Sequence, residues 1–179
     1  MVLDYPPMES IANNASTTPH KLSCEWTLWS HLPHNTDWST KSYLNIGNMH
    51  SLESATAITE ALPDLLIENC MLFVMRDGIS PTWEDVQNRH GGSFSYKVSN
   101  RCVHRTWRDL TYTVLGNTIS SRNEFVNNVT GITISPKKNF CIIKIWMCDC
   151  KNQNPSDVTT SIKDISSTGC IFKKHAPEY

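Results

Sequence analysis

At 179 residues the chain is long enough for one domain with a core of its own. Its 16 basic and 17 acidic residues nearly cancel, so any polyanion site must be a local basic patch and not a surface for a long phosphate backbone. No apolar run reaches membrane-spanning length and no basic-then-apolar signal opens the chain, and the seven scattered cysteines read as reduced thiols of a cytoplasmic or nuclear protein.

Residues 1–19 carry Pro6-Pro7, Asn13-Asn14 and a Ser-Thr-Thr-Pro run without hydrophobic periodicity, the composition of a disordered tail. A single domain is expected over 20–179. Residues 25–32 read as a strand, with Trp26 and Leu28 on one face and Trp29 on the other. A polar loop holding Trp38 leads to a second strand at 42–46. Ser51 is a good N-cap for a helix over about 52–62, whose Leu52, Ala55, Ile58 and Leu62 repeat at helical spacing until Pro63 stops it. Residues 70–75 form a buried strand that ends at the turn pair Asp77-Gly78. Pro81 breaks any ladder, Trp83-Glu84 follow in the loop, and Gly91-Gly92 lead into a partner strand at 93–98. A second helix runs over roughly 102–115, with Val103, Trp107, Leu110 and Val114 on one stripe and Gly116-Asn117 closing it. Strands at 130–135 and 140–148 flank the tight turn 136–139 and make a hairpin. The stripe Val158, Ile162 and Ile165 predicts a third helix near 156–167, and Gly169 precedes a last short strand over 170–173. Strand pairs separated by single helices describe an α+β chain, and the pattern alone selects no one fold within that class.

The loop around Trp83 carries the chemistry. Loops lie on the surface, where a large aromatic is poorly explained by core packing. An indole followed at once by a carboxylate is what a flat, positively charged heterocycle requires. The ring face stacks on the cation, and the carboxylate accepts hydrogen bonds from N–H groups along one edge. The structural alternative is a Trp folded back as a lid on the core beside a solvated Glu. Trp38, set among Asn35, Thr36, Asp37, Ser39 and Thr40, is out of place in the same way.

Taken together, Trp26-Thr-Leu-Trp29, Trp38, Asp77-Gly-Ile-Ser-Pro-Thr-Trp83-Glu84-Asp85, Gly91-Gly92 and Ile143-Lys-Ile-Trp146 resemble the translation initiation factor 4E family in order and spacing. Members of that family bind the 7-methylguanosine cap of messenger RNA. The resemblance covers about 20–146 and, more weakly, continues to His175. It implies a curved antiparallel β-sheet with three helices on its convex face and the ligand slot on its concave face. It also implies roles at the cap. Trp38 and Trp83 would stack on the two faces of the methylated base, and Glu84 would accept from the guanine N1–H and exocyclic amine. The backbone N–H of Trp83 would donate to the base carbonyl, and Trp146 would touch the N7-methyl group. Lys137 falls where the family has an Arg on the phosphate chain. The next basic positions of the family are Asn139 and Ile142 here, and the Arg after the double Gly is Ser93, which leaves Lys138, Lys144, Lys173 or Lys174 to compensate.

On the convex face the resemblance implies a groove for a helical segment of an initiation scaffold protein, formed by His20, Leu22, Leu52, Thr56, Arg108, Asp109 and Tyr112. Thr56 stands where the family has a Trp, and Arg108 and Tyr112 replace apolar positions, so the anchor expected for a hot spot is missing. The family's loop beyond the final strand is largely absent before Tyr179, which puts in doubt the contacts it makes past the cap.

The implied protein is a monomeric, non-enzymatic cap-binding initiation factor of the cytoplasm or nucleus, with no cofactor, metal or membrane. A cap-sequestering repressor that does not recruit the usual scaffold is the rival raised by Thr56 and Arg108. A carbohydrate-binding module would also use exposed Trp plates, but it would bring a secretory signal or disulfide framing. An enzyme would have to be assembled from His31, His34, His90, Cys24 and Asp37 without any nucleophile, phosphate-loop or metal motif. Cys148-Asp-Cys150 with Cys141, Cys170 and His175 lacks zinc-knuckle spacing.

Overall fold

The computed structural model of the chain describes residues 18–177, so the tail expected over 1–19 lies outside them but for its last two residues. Seven strands build one curved antiparallel sheet: β1 (Lys21–His31), β2 (Tyr43–Ser51), β3 (Met71–Arg76), β4 (Gly92–Ser99), β5 (Val129–Pro136), β6 (Phe140–Met147) and β7 (Ile171–Lys174). Their spatial order is β2-β1-β3-β5-β6-β4-β7. Among the described residues there are four helices of the α type: α1 (Leu52–Glu60), α2 (Asp64–Asn69), α3 (Val103–Leu115) and α4 (Asn123–Asn128).

The period-two alternation of the strands decides which face does what. Leu72 and Val74 of β3, Ile132 and Ile134 of β5, and Ile143 and Ile145 of β6 turn to the helix-bearing face. There they join Trp26 and Leu28 of β1 and Trp107, Leu110 and Val114 of α3 in the main core. The opposite face carries a smaller cluster of Phe73, Met75 and Trp146, with Trp29, Tyr43, Met71, Ile79 and Trp83 packed around it. A sheet with one face sealed by helices leaves the other for a ligand.

Local signals explain the main elements. Ser51 caps α1 through a reciprocal box with Ser54, each side chain bonding the other's backbone N–H. Such a cap contributes about 1 kcal/mol. The end of α3 is made by Asn117, whose φ of 56° takes the left-handed conformation that follows many helices. β1 and β2 run longer than the sequence pattern indicates, because their paired registers extend to Lys21 and Ser51.

One expected element is absent. The segment 156–167 does not form a helix; it has a single 3-10 turn, Pro155–Asp157, followed by bends and turns. Val158, Ile162 and Ile165 are buried all the same. Polar side chains and neighbouring elements claim the segment's hydrogen-bonding groups: Asn154 accepts from the Ser156 N–H, Thr159 Oγ1 accepts from the Ser161 N–H, and the Thr159 N–H donates to the Ile119 carbonyl. Ser, Thr and Asp compete with helix in this way. The short helices α2 and α4, six residues each, were not expected. Among the described residues the count is therefore four helices and not three, with the sheet as anticipated.

Candidate functional site

β3 ends at Arg76, and Gly78 turns the chain with a φ of 77°. The loop that follows is held from within. The Asp85 carboxylate accepts the Ser80 N–H at 2.8 Å and the Gln87 N–H at 2.9 Å. Asn88, 0% exposed, donates its amide to the Ser80 carbonyl at 3.0 Å and the Thr82 carbonyl at 2.9 Å. The loop closes at Gly91, where an added Cβ would run into the Met147 carbonyl oxygen. Trp83 thus projects from a loop tied on both sides of it.

Trp38 sits on the other loop, between β1 and β2. There Asn35 accepts the Asp37 N–H at 2.9 Å, and the Asp37 carboxylate accepts from the Ser39 N–H at 2.8 Å and the Ser39 hydroxyl at 3.0 Å. These Ser39 bonds, the backbone one first, hold the Asp37 carboxyl below its ordinary range. Trp38 remains 55% exposed.

Both indoles border one cavity of about 660 Å³ on the helix-free face, together with Tyr43, Glu84, Lys144 and Trp146. Trp146 is nearly buried and sits edge-on to Phe73, with ring centres 6.2 Å apart. Its Nε1, and the hydroxyl of Thr133 on the cavity wall, have no hydrogen-bond partner among the described residues. Glu84 is exposed at the rim. Burial, and then the negative charge of Glu84, push the Tyr43 phenol up to about 12.

Cations gather at one side. Lys144 is partly buried, its Nζ 5.8 Å from the centre of the Trp83 ring. Burial first, and then the charges of Lys173 and Lys137, push its pKa down. Three ammonium groups close enough to repel make the local basic patch that the overall charge required. Lys138 is exposed at the β5–β6 turn. Lys174 does not join the patch: its register partner is Gly92, which puts it on the helix-bearing face, whereas Lys173 pairs with Ser93 on the slot face. Alternation along β7 separates these adjacent lysines.

The convex-face residues are also brought near one another. His20 Nδ1 lies 2.7 Å from Glu53 Oε1, and the Leu52 N–H donates to the His20 carbonyl at 2.8 Å. The His20 side chain is the main reason the Glu53 carboxyl is held down at about 2. Leu52 is exposed, Leu22 is partly buried against the main core, and Thr56 is exposed beside them on α1. The Tyr112 hydroxyl donates to Glu60 at 2.7 Å, joining α3 to α1, and Arg108 lies 3.7 Å from Asp109.

Three residues of the site region escaped the sequence reading. Asn88 ties the Trp83 loop, and nothing local marks it. His31 and His175, which the sequence offers only as parts of a hydrolytic or zinc site, instead lie flat on Trp38 and Trp83 respectively. Among the described residues no group of three or more His, Cys, Asp or Glu could hold a metal ion, and no helix is long and apolar enough to cross a membrane.

Known proteins share this architecture. The family model for eukaryotic initiation factor 4E matches residues 21–176. Eukaryotic translation initiation factor 4E-1 of Schizosaccharomyces pombe is 25% identical over 179 residues, covering 86% of this chain and 80% of the relative. Among solved structures, Ascaris suum eIF4E-3 in complex with m2,2,7G cap superposes with a TM-score of 0.73 at 16% identity, over 90% of this chain and 94% of that one. Schistosome eIF4E complexed with m7GpppG and 4E-BP gives a TM-score of 0.67 at 19% identity, over 76% of each chain. At these identities the superpositions establish the common fold, while the family match runs through nearly every described residue, from β1 to the segment after β7. The chain belongs to the eukaryotic initiation factor 4E family.

Proposed function

We propose that this protein binds the 7-methylguanosine cap of messenger RNA in translation initiation. The observation that carries the reading is the pair of loop tryptophans, Trp38 and Trp83, on one cavity with a carboxylate at its rim and lysines at its side. Methylation at N7 gives guanine a delocalised positive charge. Each indole face then favours it over plain guanine by about 0.5–2 kcal/mol. Glu84 accepts from N1–H and the exocyclic amine, an edge that adenine does not offer. Trp146 closes the slot against the methyl group. Lys144, with Lys137 and Lys173, holds the phosphates, and Lys138 reaches them from the turn. The Ascaris and schistosome relatives, solved with cap ligands, support the reading. It is tested on immobilised 7-methyl-GTP. The protein should be retained and released by free 7-methyl-GTP but not by GTP, and Trp83→Ala should flow through. Release by both nucleotides alike would sink it.

The convex face would take a helical segment of a scaffold protein through His20, Leu22, Leu52, Asp109 and Tyr112; the schistosome relative was solved in complex with a 4E-BP. The exposed Thr56 and Arg108 favour a second reading, in which the cap is sequestered without the usual scaffold. A pull-down with a scaffold-derived helical peptide separates the two: strong binding by the unmodified protein removes the repressor reading.

A further inference from the structure

Each of the two loop indoles has an imidazole lying flat against it. His31 and Trp38 have ring centres 4.2 Å apart and planes 2° apart; His175 and Trp83 are at 5.6 Å and 12°. Both indoles border the cavity and neither imidazole does, so the imidazoles back the plates from outside.

The two differ in what surrounds them. His175 donates from Nδ1 to the Asn88 carbonyl at 2.7 Å, and its Nε2 is buried with no partner among the described residues. Burial first, with the charge of Lys144 adding to it and the bond to Asn88 opposing it, lowers its pKa. His31, 2% exposed at the end of β1, donates from Nε2 to the Asp37 carbonyl at 2.8 Å. A carbonyl can only accept, so this bond fixes the proton on Nε2. The groups facing His31 are the Asp37 carboxylate from its loop, the Tyr43 phenol from β2 at 5.1 Å between ring centres, and, beyond Tyr43, Glu84. Its β3 register partner, Met71, carries no charge.

We propose that His31 is a positioning residue for the bound base. It holds the exposed Trp38 as the second plate, by stacking beneath it and by gripping its loop at Asp37. The proposal rests on the cap reading above. An indole face attracts a cation through its quadrupole, and an exposed indole must be held in place for that face to meet the base.

The test uses His31→Phe, which keeps a flat ring under Trp38, and His31→Ala, which removes it. Tryptophan emission of the free protein is compared first: loss of the stacked ring in His31→Ala should change it, and the same substitution in a Trp38→Phe background should not. Titrations with 7-methyl-GTP follow at neutral pH. His31→Phe should bind within about threefold of the unmodified protein, and folded His31→Ala about tenfold more weakly. Normal affinity in folded His31→Ala, or a loss in folded His31→Phe as large as in His31→Ala, overturns the positioning role. If His31→Ala does not fold, His31→Leu, which keeps volume without a flat ring, is titrated in its place. If no form binds 7-methyl-GTP, the proposal falls with the cap reading, and the emission change tells that failure apart from a stack that never forms.

Discussion

Replacing Asn88 by Ala tests whether the Trp83 loop is rigid because of one buried amide. The substitution removes two hydrogen bonds, to the carbonyls of Ser80 at 3.0 Å and Thr82 at 2.9 Å, from a fully buried position. Each bond contributes about 1 kcal/mol net, and a carbonyl left buried without a partner costs about 1–3 kcal/mol. Against this, Asn88 Oδ1 has no partner of its own among the described residues, so deleting it returns part of the loss. The Asn88 main-chain carbonyl still accepts from His175 and from the Gly91 N–H. The balance is a loss of about 2–4 kcal/mol in stability. Where the loop loosens without global unfolding, the ligand must order it on binding, which costs about ten- to a hundredfold in affinity. Urea denaturation with an unchanged slope gives the first quantity, and titration with 7-methyl-GTP gives the second. A stability change within about 0.5 kcal/mol together with unchanged affinity would refute the role assigned to the amide. A stability loss with unchanged affinity would assign Trp83's rigidity to Asp85 instead.

Other substitutions separate the remaining roles. Glu84→Gln removes the charge and turns one acceptor into a donor facing N–H groups, so cap affinity should fall about tenfold or more while the exposed position keeps stability within about 0.5 kcal/mol; the same titration and denaturation check both. Lys144→Met should weaken binding of 7-methyl-GTP much more than that of the 7-methylguanosine nucleoside, which calorimetry with the two ligands will show. Because burial lowers the Lys144 pKa, its charge destabilises the fold at neutral pH, and the cost fades only as pH rises through that lowered pKa. The Met variant should therefore melt higher at pH 7, with the advantage shrinking in alkali. Ile162→Ala should cost about 2–4 kcal/mol by denaturation even though its segment is not helical, because the side chain is buried.

What was legible in the chain was whatever local chemistry specifies. Asp77-Gly78, Pro81 and Gly91-Gly92 bound the Trp83 loop by turn geometry and close approach, and the structure puts the loop between β3 and β4. Period-two alternation separated Trp26 and Leu28 from Trp29, and Trp146 and Lys144 from their neighbours, and the two faces of the sheet follow it. The segment 156–167 misled because an apolar residue every three or four positions reports burial, and burial does not require helix when Ser, Thr and Asp side chains take the backbone's bonds. α2 and α4 are too short to display a stripe. The sequence does not separate Lys174 from Lys173, because β7's register against β4 is a long-range fact. Asn88, His31 and His175 act through partners far along the chain or across a loop, so no spacing announces them.

The central claim is recognition of the methylated base, and it is tested most directly by titrating tryptophan emission with 7-methyl-GTP and with GTP in parallel. Two indole faces at about 0.5–2 kcal/mol each predict a preference for the methylated nucleotide of roughly fivefold to a thousandfold, accompanied by quenching and reduced by one plate's share, about two- to thirtyfold, in Trp83→Ala. Equal affinity for the two nucleotides, or a preference undiminished in Trp83→Ala, would contradict it.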